Sequence, residues 1–275
     1  MKVYGIDPAP KKDLIAYDGE KFEKRSIHEV RSFIEGLSKE PDLFVCWDAP
    51  LTGPSLLAIM NNKPGKSEFS QRALESFFMQ HKNILPNYTG KLPPGVSILP
   101  YSGCPHWVIS RSLLGLPKCG PFDQMNQLPF QLTDDNSKSP PTEGRYIAEV
   151  HPALALWLWC KDKNIRSWRY KGLHKGENTL ENREALENIL IDHLINSCGI
   201  DYSPMQPITD DDCFDAWIAF ILGDLWINKK QTCVGMLGNN NTGKMLLPNI
   251  EGLQKSFSDF VQKKIKKGKW IYSYP

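Results

Sequence analysis

Near the start of the chain the apolar positions pass from strict alternation to helical spacing and then to an unbroken run. Residues 2 to 7, KVYGID, set Val3, Gly5 and Asp7 on one face and Tyr4 and Ile6 on the other, and Pro8 stops the pattern, which predicts a short strand. DLIAYDGEKFEKR carries two short apolar runs around Asp18-Gly19, the signature of a β-hairpin. Residues 27 to 38 repeat Ile27, Val30, Phe33, Ile34 and Leu37 at the spacing of one helix face. LFVCWDAP, 43 to 50, is almost wholly apolar, as a strand covered on both faces requires.

The pattern loosens from about 51 to 144. A helical segment over 67 to 82 is followed by Pro/Gly-rich chain from Pro86 to Pro100, a second helical stretch near 106 to 115 and the polar run DDNSKSPPTEGR. Few apolar residues there can build a core of their own, which predicts an insertion or lid within one domain spanning 1 to 275. Strand character returns in RYIAEVHP, 145 to 152, and leads into the apolar helix ALALWLWCKD. Residues 180 to 197 form a further helix, with Leu186, Ile189, Leu190, His193 and Leu194 on one side. DDDCFDAWIAFILGDLWI, 210 to 227, opens with acidic residues, favourable at a helix N-terminus, and continues as a strongly apolar helix. Strands alternating with helices place the chain in the α/β class.

Four aspartates sit where apolar elements end or begin. Asp7 and Asp48 close two strands; Asp212 and Asp215 open the last apolar helix, three residues apart and so on one face. If the two strands lie side by side and parallel, Asp7 and Asp48 meet at neighbouring carboxyl ends. Carboxylates gathered this way repel one another unless a hard divalent cation lies between them, and oxygen ligands suit Mg2+ or Mn2+. Each residue also has a plainer role open to it: a turn residue before proline, or, for Asp210 to Asp212, a helix cap. Glu149, on the next strand, fits either an orienting place behind metal ligands or a pair with a nearby Lys or Arg.

Composition narrows the classes. The chain has 275 residues and a formal charge of +2, too small to mark a nucleic-acid binder by itself, so any basic surface is local. No stretch approaches a membrane span, and the N-terminus enters a strand pattern directly, without a signal-peptide hydrophobic region. Seven cysteines without short regular spacing fit reduced thiols, and a cytoplasmic location is expected. Local basic surface is found in RSWRYKGLHK, where Arg166, Trp168, Arg169 and Lys171 mix cations and aromatics in a way that can stack bases and pair phosphates, or can be a solvated loop with Trp168 tucked into the core. The tail QKKIKKGKW adds five lysines, usually the mark of a solvated helix end. GNNNTGK, 238 to 244, has the spacing of a phosphate-binding loop, but Met245 stands where a Ser or Thr must reach magnesium and Pro248 breaks the helix it needs, so a polar turn is expected. Cys104, His106 and Cys119 lack the paired spacing and fourth ligand of a zinc site.

Taken together, the leading GIDP, the strand ending WDAPL, the strand EVHP, the helix DDDCFDAWIA and the terminal GKWIYSYP resemble domain-of-unknown-function family 429. That family is described as predicted nucleases of the RNase H-like superfamily. GIDP and the two aspartates three apart also look like the Holliday-junction resolvase branch of that superfamily. The resemblance covers the ends and middle of the chain but not the insertion. It implies an α/β fold with a mixed five-stranded sheet, a hairpin feeding a central first strand, helices on both faces, and an insertion after the fourth strand. It further implies phosphodiester hydrolysis of nucleic acid by a two-metal carboxylate mechanism using Mg2+ or Mn2+, with Asp7, Asp48, Asp212 and Asp215 as catalytic residues and metal ligands and Glu149 as accessory. Two other classes stay open: a non-catalytic nucleic-acid or protein-binding module on the same fold, and an ATP-using enzyme of the actin and sugar-kinase fold, which lacks here a pair of Gly-rich phosphate loops.

Overall fold

A computed structural model describes residues 1–8, 13–52, 72–80, 92–96, 130–133, 139–172, 176, 178–240 and 242–267. The helical stretch expected near 106 to 115, the Cys104/His106/Cys119 trio and most of the 51 to 144 insertion lie outside them.

The sheet contains six strands: β1 (Lys2–Asp7), β2 (Leu14–Tyr17), β3 (Phe22–Arg25), β4 (Leu43–Trp47), β5 (Gln131–Leu132) and β6 (Arg145–Glu149), in the order β3-β2-β1-β4-β6-β5. This corrects the expectation of five; the additional one is the two-residue β5, which pairs with β6 at the sheet edge and is too short to leave a periodic signal. β1 to β3 form an antiparallel meander, while β4 runs parallel to β1 and β6 parallel to β4. The β2–β3 turn is built as the Asp18-Gly19 pair predicts: Asp18 Oδ1 accepts the backbone N–H groups of Glu20 and Lys21, and Gly19 takes φ 97°.

Strand alternation divides the core. Tyr4, Ile6, Val45, Trp47 and Ile147 pack on one face with Val30, Ile34 and Leu37 of α1 (Val30–Leu37). Val3, Phe44, Cys46 and Ala148 face the other way, against α3 (Pro152–Cys160), α4 (Thr179–Cys198) and α5 (Asp211–Asp224). Strands that bury both faces must be continuously apolar, which is why LFVCW is. Side-chain caps fix where the helices begin: His151 Nδ1 accepts from Leu154 N–H, Asn178 Oδ1 from Glu181 N–H and Asp210 Oδ1 from Cys213 N–H. His151 therefore ends the β6 pattern before residue 152, and α4 stops at Gly199, whose φ is 70°.

A third apolar cluster lies beyond α3. There α2 (Ala73–Gln80), the hairpin β7 (Val234–Asn239) with β8 (Gly243–Pro248), and α6 (Leu253–Lys266) meet Leu154 and Leu158 of α3. Phe77 of α2 packs edge-on to Phe257 and Phe260 at 5.3 and 5.5 Å between ring centres. This helix of the insertion thus shares a core with the C-terminal elements. The described residues of GNNNTGK belong to the β7–β8 hairpin, with Thr242 N–H bonded to Asn239 Oδ1 at 2.9 Å, and lead directly into strand β8, not into a helix. Lys244 is buried in β8, its backbone N–H on Thr52 Oγ1 at 2.6 Å and its ammonium on the Thr133 carbonyl. Among the described residues Cys46, Cys160, Cys198, Cys213 and Cys233 are free, and no helix is long and apolar enough to cross a membrane.

Candidate metal centre

The parallel pairing of β1 and β4 brings their carboxyl ends together. Ile6 stands opposite Trp47, and the Asp48 N–H donates to the Ile6 carbonyl at 3.0 Å, so Asp48 begins the turn beside Asp7. The third member arrives by close packing of α5 on β1. A Cβ on Gly5 would collide with the Ala216 carbonyl and the Phe220 amide, and one on Gly223 would lie 2.7 Å from Cys46 Sγ and from Val3 Cγ1. Two glycines, one on each surface, therefore let the helix axis approach until Asp215 overhangs the strand ends. Asp7, Asp48 and Asp215 each offer a carboxylate oxygen, and these oxygens lie within 4.8 Å of one another. Asp7 is 4% and Asp215 1% exposed, while Asp48 is partly open to solvent.

Such a cluster strains against its own charge. Burial pushes the Asp48 carboxyl well above the ordinary carboxylate range, the charges of Asp215, Asp7 and Glu149 push the same way, and the Lys171 ammonium opposes them. Burial likewise raises Asp215, against the pull of Lys171 and the hydroxyl of Tyr170. Tyr170 donates to Asp215 Oδ1 at 2.6 Å, and burial together with that carboxylate keeps its phenol well above the usual value, hence protonated and a donor. Asp215 Oδ2 is buried and is met by the Lys171 ammonium as an ion pair. Desolvation disfavours the Lys171 charge, but Asp215, Tyr170, Asp48 and Asp7 outweigh it and hold its pKa well above the ordinary lysine value. Three convergent carboxylates are hard oxygen donors, so the cluster can hold a metal ion.

The remaining sequence candidates are placed as follows. Asp212, in the first turn of α5 and half-buried, is not among the three whose oxygens converge; Asp210, its neighbour, is the helix cap. Glu149 stands opposite Trp47 in the register, and so on the face of Ile6 and Ile147 rather than that of Val3 and Asp7. Its carboxylate takes Arg72 Nη1 at 2.7 Å and the Leu51 N–H at 2.8 Å, and Arg72 Nε donates to Glu75 at 2.7 Å. Arg72 also reaches the Thr52 carbonyl and is 0% exposed. Of the two alternatives for Glu149, the pair with arginine is the one present. Along 166–171, Arg166 is exposed and Arg169 partly so; Trp168 is half-buried against two of the apolar clusters, and Lys171 points back to Asp215. Lys263, Lys266 and Lys267 are exposed at the end of α6. His193 is half-buried, and burial lowers its pKa.

Two residues of the site carry little signal in the pattern. Tyr170 follows a basic stretch without periodicity, and nothing in its spacing points to an aspartate 45 positions away. Arg72 has a faint one, since Arg72 and Glu75 stand three apart, but its main partner comes from β6, 77 positions on. Comparison with protein-family models, with curated proteins and with solved structures finds no match for this chain.

Proposed function

We propose that this protein is a divalent-metal-dependent nuclease of RNase H-like fold that hydrolyses phosphodiester bonds in nucleic acid. The observation that carries the reading is the convergence of Asp7, Asp48 and Asp215 at the carboxyl ends of two parallel strands and the first turns of α5. A meander feeding a central β1, with β4 and β6 added in parallel and helices on both faces, supports the fold assignment.

In this reading Asp7, Asp48 and Asp215 hold Mg2+ or Mn2+. A bound ion of this kind lowers the pKa of its water and polarises the phosphoryl oxygens. The chain's own contribution is positional. The Tyr170 hydroxyl fixes the Asp215 carboxylate, Arg72 pairs with Glu149 beside the cluster, and the Thr52 and Leu51 contacts of the Arg72–Glu149 pair hold the turn that carries Asp48. Asp48 is the most open of the three, so a substrate arriving from solvent would meet it first. Asp212, one helical turn from Asp215, would serve a second ion in this reading, and Arg166 and Arg169, in the loop that ends at Lys171, would meet the phosphates of the strand.

The test is cleavage of labelled single-stranded, duplex and branched DNA and RNA with Mn2+, alongside thermal melts of the parent and Asp48→Asn. The parent is expected to cleave at least one substrate and to melt higher with Mn2+, and the variant to lose both responses while its metal-free form melts no lower. A variant that is destabilised by about 1 kcal/mol yet keeps the full Mn2+ shift would make Asp48 a turn residue. One observation favours a second reading: Lys171 already pairs with Asp215, as it would in a non-catalytic binding module whose charges are balanced internally. That module would bind nucleic acid without any response to Mn2+.

A further inference from the structure

We propose that Lys171 is the resident cation of the carboxylate cluster and competes with the divalent ion, so that metal loading requires its ammonium to be ejected from Asp215. The inference rests on the metal-site reading above and concerns what controls that site.

The geometry is specific. Asp215 has one oxygen, Oδ1, committed to the Tyr170 hydroxyl at 2.6 Å, and the other, Oδ2, buried and paired with the Lys171 ammonium. Tyr170 is itself buried and packs edge-on to Phe214 at 5.0 Å, so Oδ1 is not easily released. Oδ2 is the Asp215 oxygen not taken by a hydroxyl, and it is where the ammonium sits. The two ends of this pair differ in freedom. Asp215 is 1% exposed on a packed helix, whereas the Lys171 side chain is 45% exposed and its next residue is Gly172, with φ 66°. A flexible stem that is half in water can withdraw without disturbing the core; the carboxylate cannot follow it.

The consequences are measurable without turnover. With Lys171 in place, the metal-free cluster is partly neutralised, and an incoming ion gains the three carboxylates only after breaking one ion pair. With Lys171 removed, the metal-free cluster loses that neutralising charge and the ion meets no ammonium at Oδ2. An ejected ammonium remains tethered at the rim of the loaded site.

Mn2+ binding is measured by titration calorimetry and by thermal melts for the parent, Lys171→Met and Lys171→Arg, with Asp48→Asn as the site control. Lys171→Met is expected to bind Mn2+ about tenfold more tightly than the parent. It is also expected to melt below the parent without metal and to recover that loss in saturating Mn2+. Lys171→Arg, which keeps the charge, should bind within about threefold of the parent. Tight binding by Lys171→Met where the parent binds none would support the proposal, the competitor then being dominant. Equal or weaker Mn2+ affinity in Lys171→Met, with Asp48→Asn abolishing binding, would overturn the competitor role and leave the metal site standing. Absence of Mn2+ binding in both the parent and Lys171→Met would overturn the competitor role together with the metal reading on which it rests.

Discussion

Asp215 and Glu149 are both buried carboxylates, but they are satisfied in opposite ways. Glu149 is held by the bidentate guanidinium of Arg72 and a backbone N–H; Asp215 has one hydroxyl, one ammonium and two neighbouring carboxylates. Removing Arg72 therefore strands two buried negative charges, Glu149 and Glu75, and Arg72→Met is expected to destabilise the fold by about 3–5 kcal/mol in denaturant unfolding. Loss of less than about 1 kcal/mol would mean that the triad is not what holds the Leu51–Thr52 turn. The cluster should show the opposite sign. Asp48 and Asp215 hold their protons more tightly when folded than when unfolded, chiefly through burial. Such groups contribute stability that is fully present below the unfolded carboxylate value of about 4 and is lost as pH rises through the higher folded value. The metal-free parent should accordingly lose melting temperature relative to Asp48→Asn as pH rises from 5 to 8. A gap between the two that does not change with pH would show that Asp48 ionises normally. Because metal competes with these protons, Mn2+ affinity should rise over the same interval.

At the scale of elements, the site depends on how closely α5 lies on β1. Gly5 is the contact point, and its missing Cβ lets the Ala216 carbonyl and Phe220 amide rest against the strand. Gly5→Ala should force the helix outward, costing about 3 kcal/mol, at the upper end for overpacking. It should weaken Mn2+ binding as well, since Asp215 moves with the helix. A stable variant with parental Mn2+ affinity would show that α5 does not position the cluster. Strands, hairpin and helices were readable because their periodicity is local: KVYGID, Asp18-Gly19, LFVCW and the acidic start of α5 each declare themselves within a few residues. Asp7, Asp48 and Asp215 were readable for the same reason, as charges at the ends of apolar runs. What periodicity cannot carry is which face a strand-end residue takes relative to its neighbours. Glu149 falls opposite Trp47 and hence toward Arg72, a matter of register between β4 and β6, which are distant in sequence. Tyr170 and Lys171 lie in irregular chain, where no period exists to read.

Across the whole molecule, the carboxylate cluster stands at the carboxyl ends of β1 and β4, while α2, the β7–β8 hairpin and α6 form a separate apolar cluster packed against α3. The Arg72 network joins the two, linking the start of α2 to β6 and to the turn after Asp48, and Lys244 of β8 reaches the same turn through Thr52. Elements far apart in sequence thus converge on the few residues that carry Asp48, which gives the site a rigid base on one side and the half-exposed Lys171 on the other. The measurement that tests the central claim most directly is anomalous diffraction from a crystal soaked in Mn2+. A metal held by the cluster gives a manganese peak among the carboxylates of Asp7, Asp48 and Asp215, with the Lys171 ammonium withdrawn from Asp215 Oδ2. An anomalous map without a peak there at saturating Mn2+, and with Lys171 still paired to Asp215, would contradict that claim.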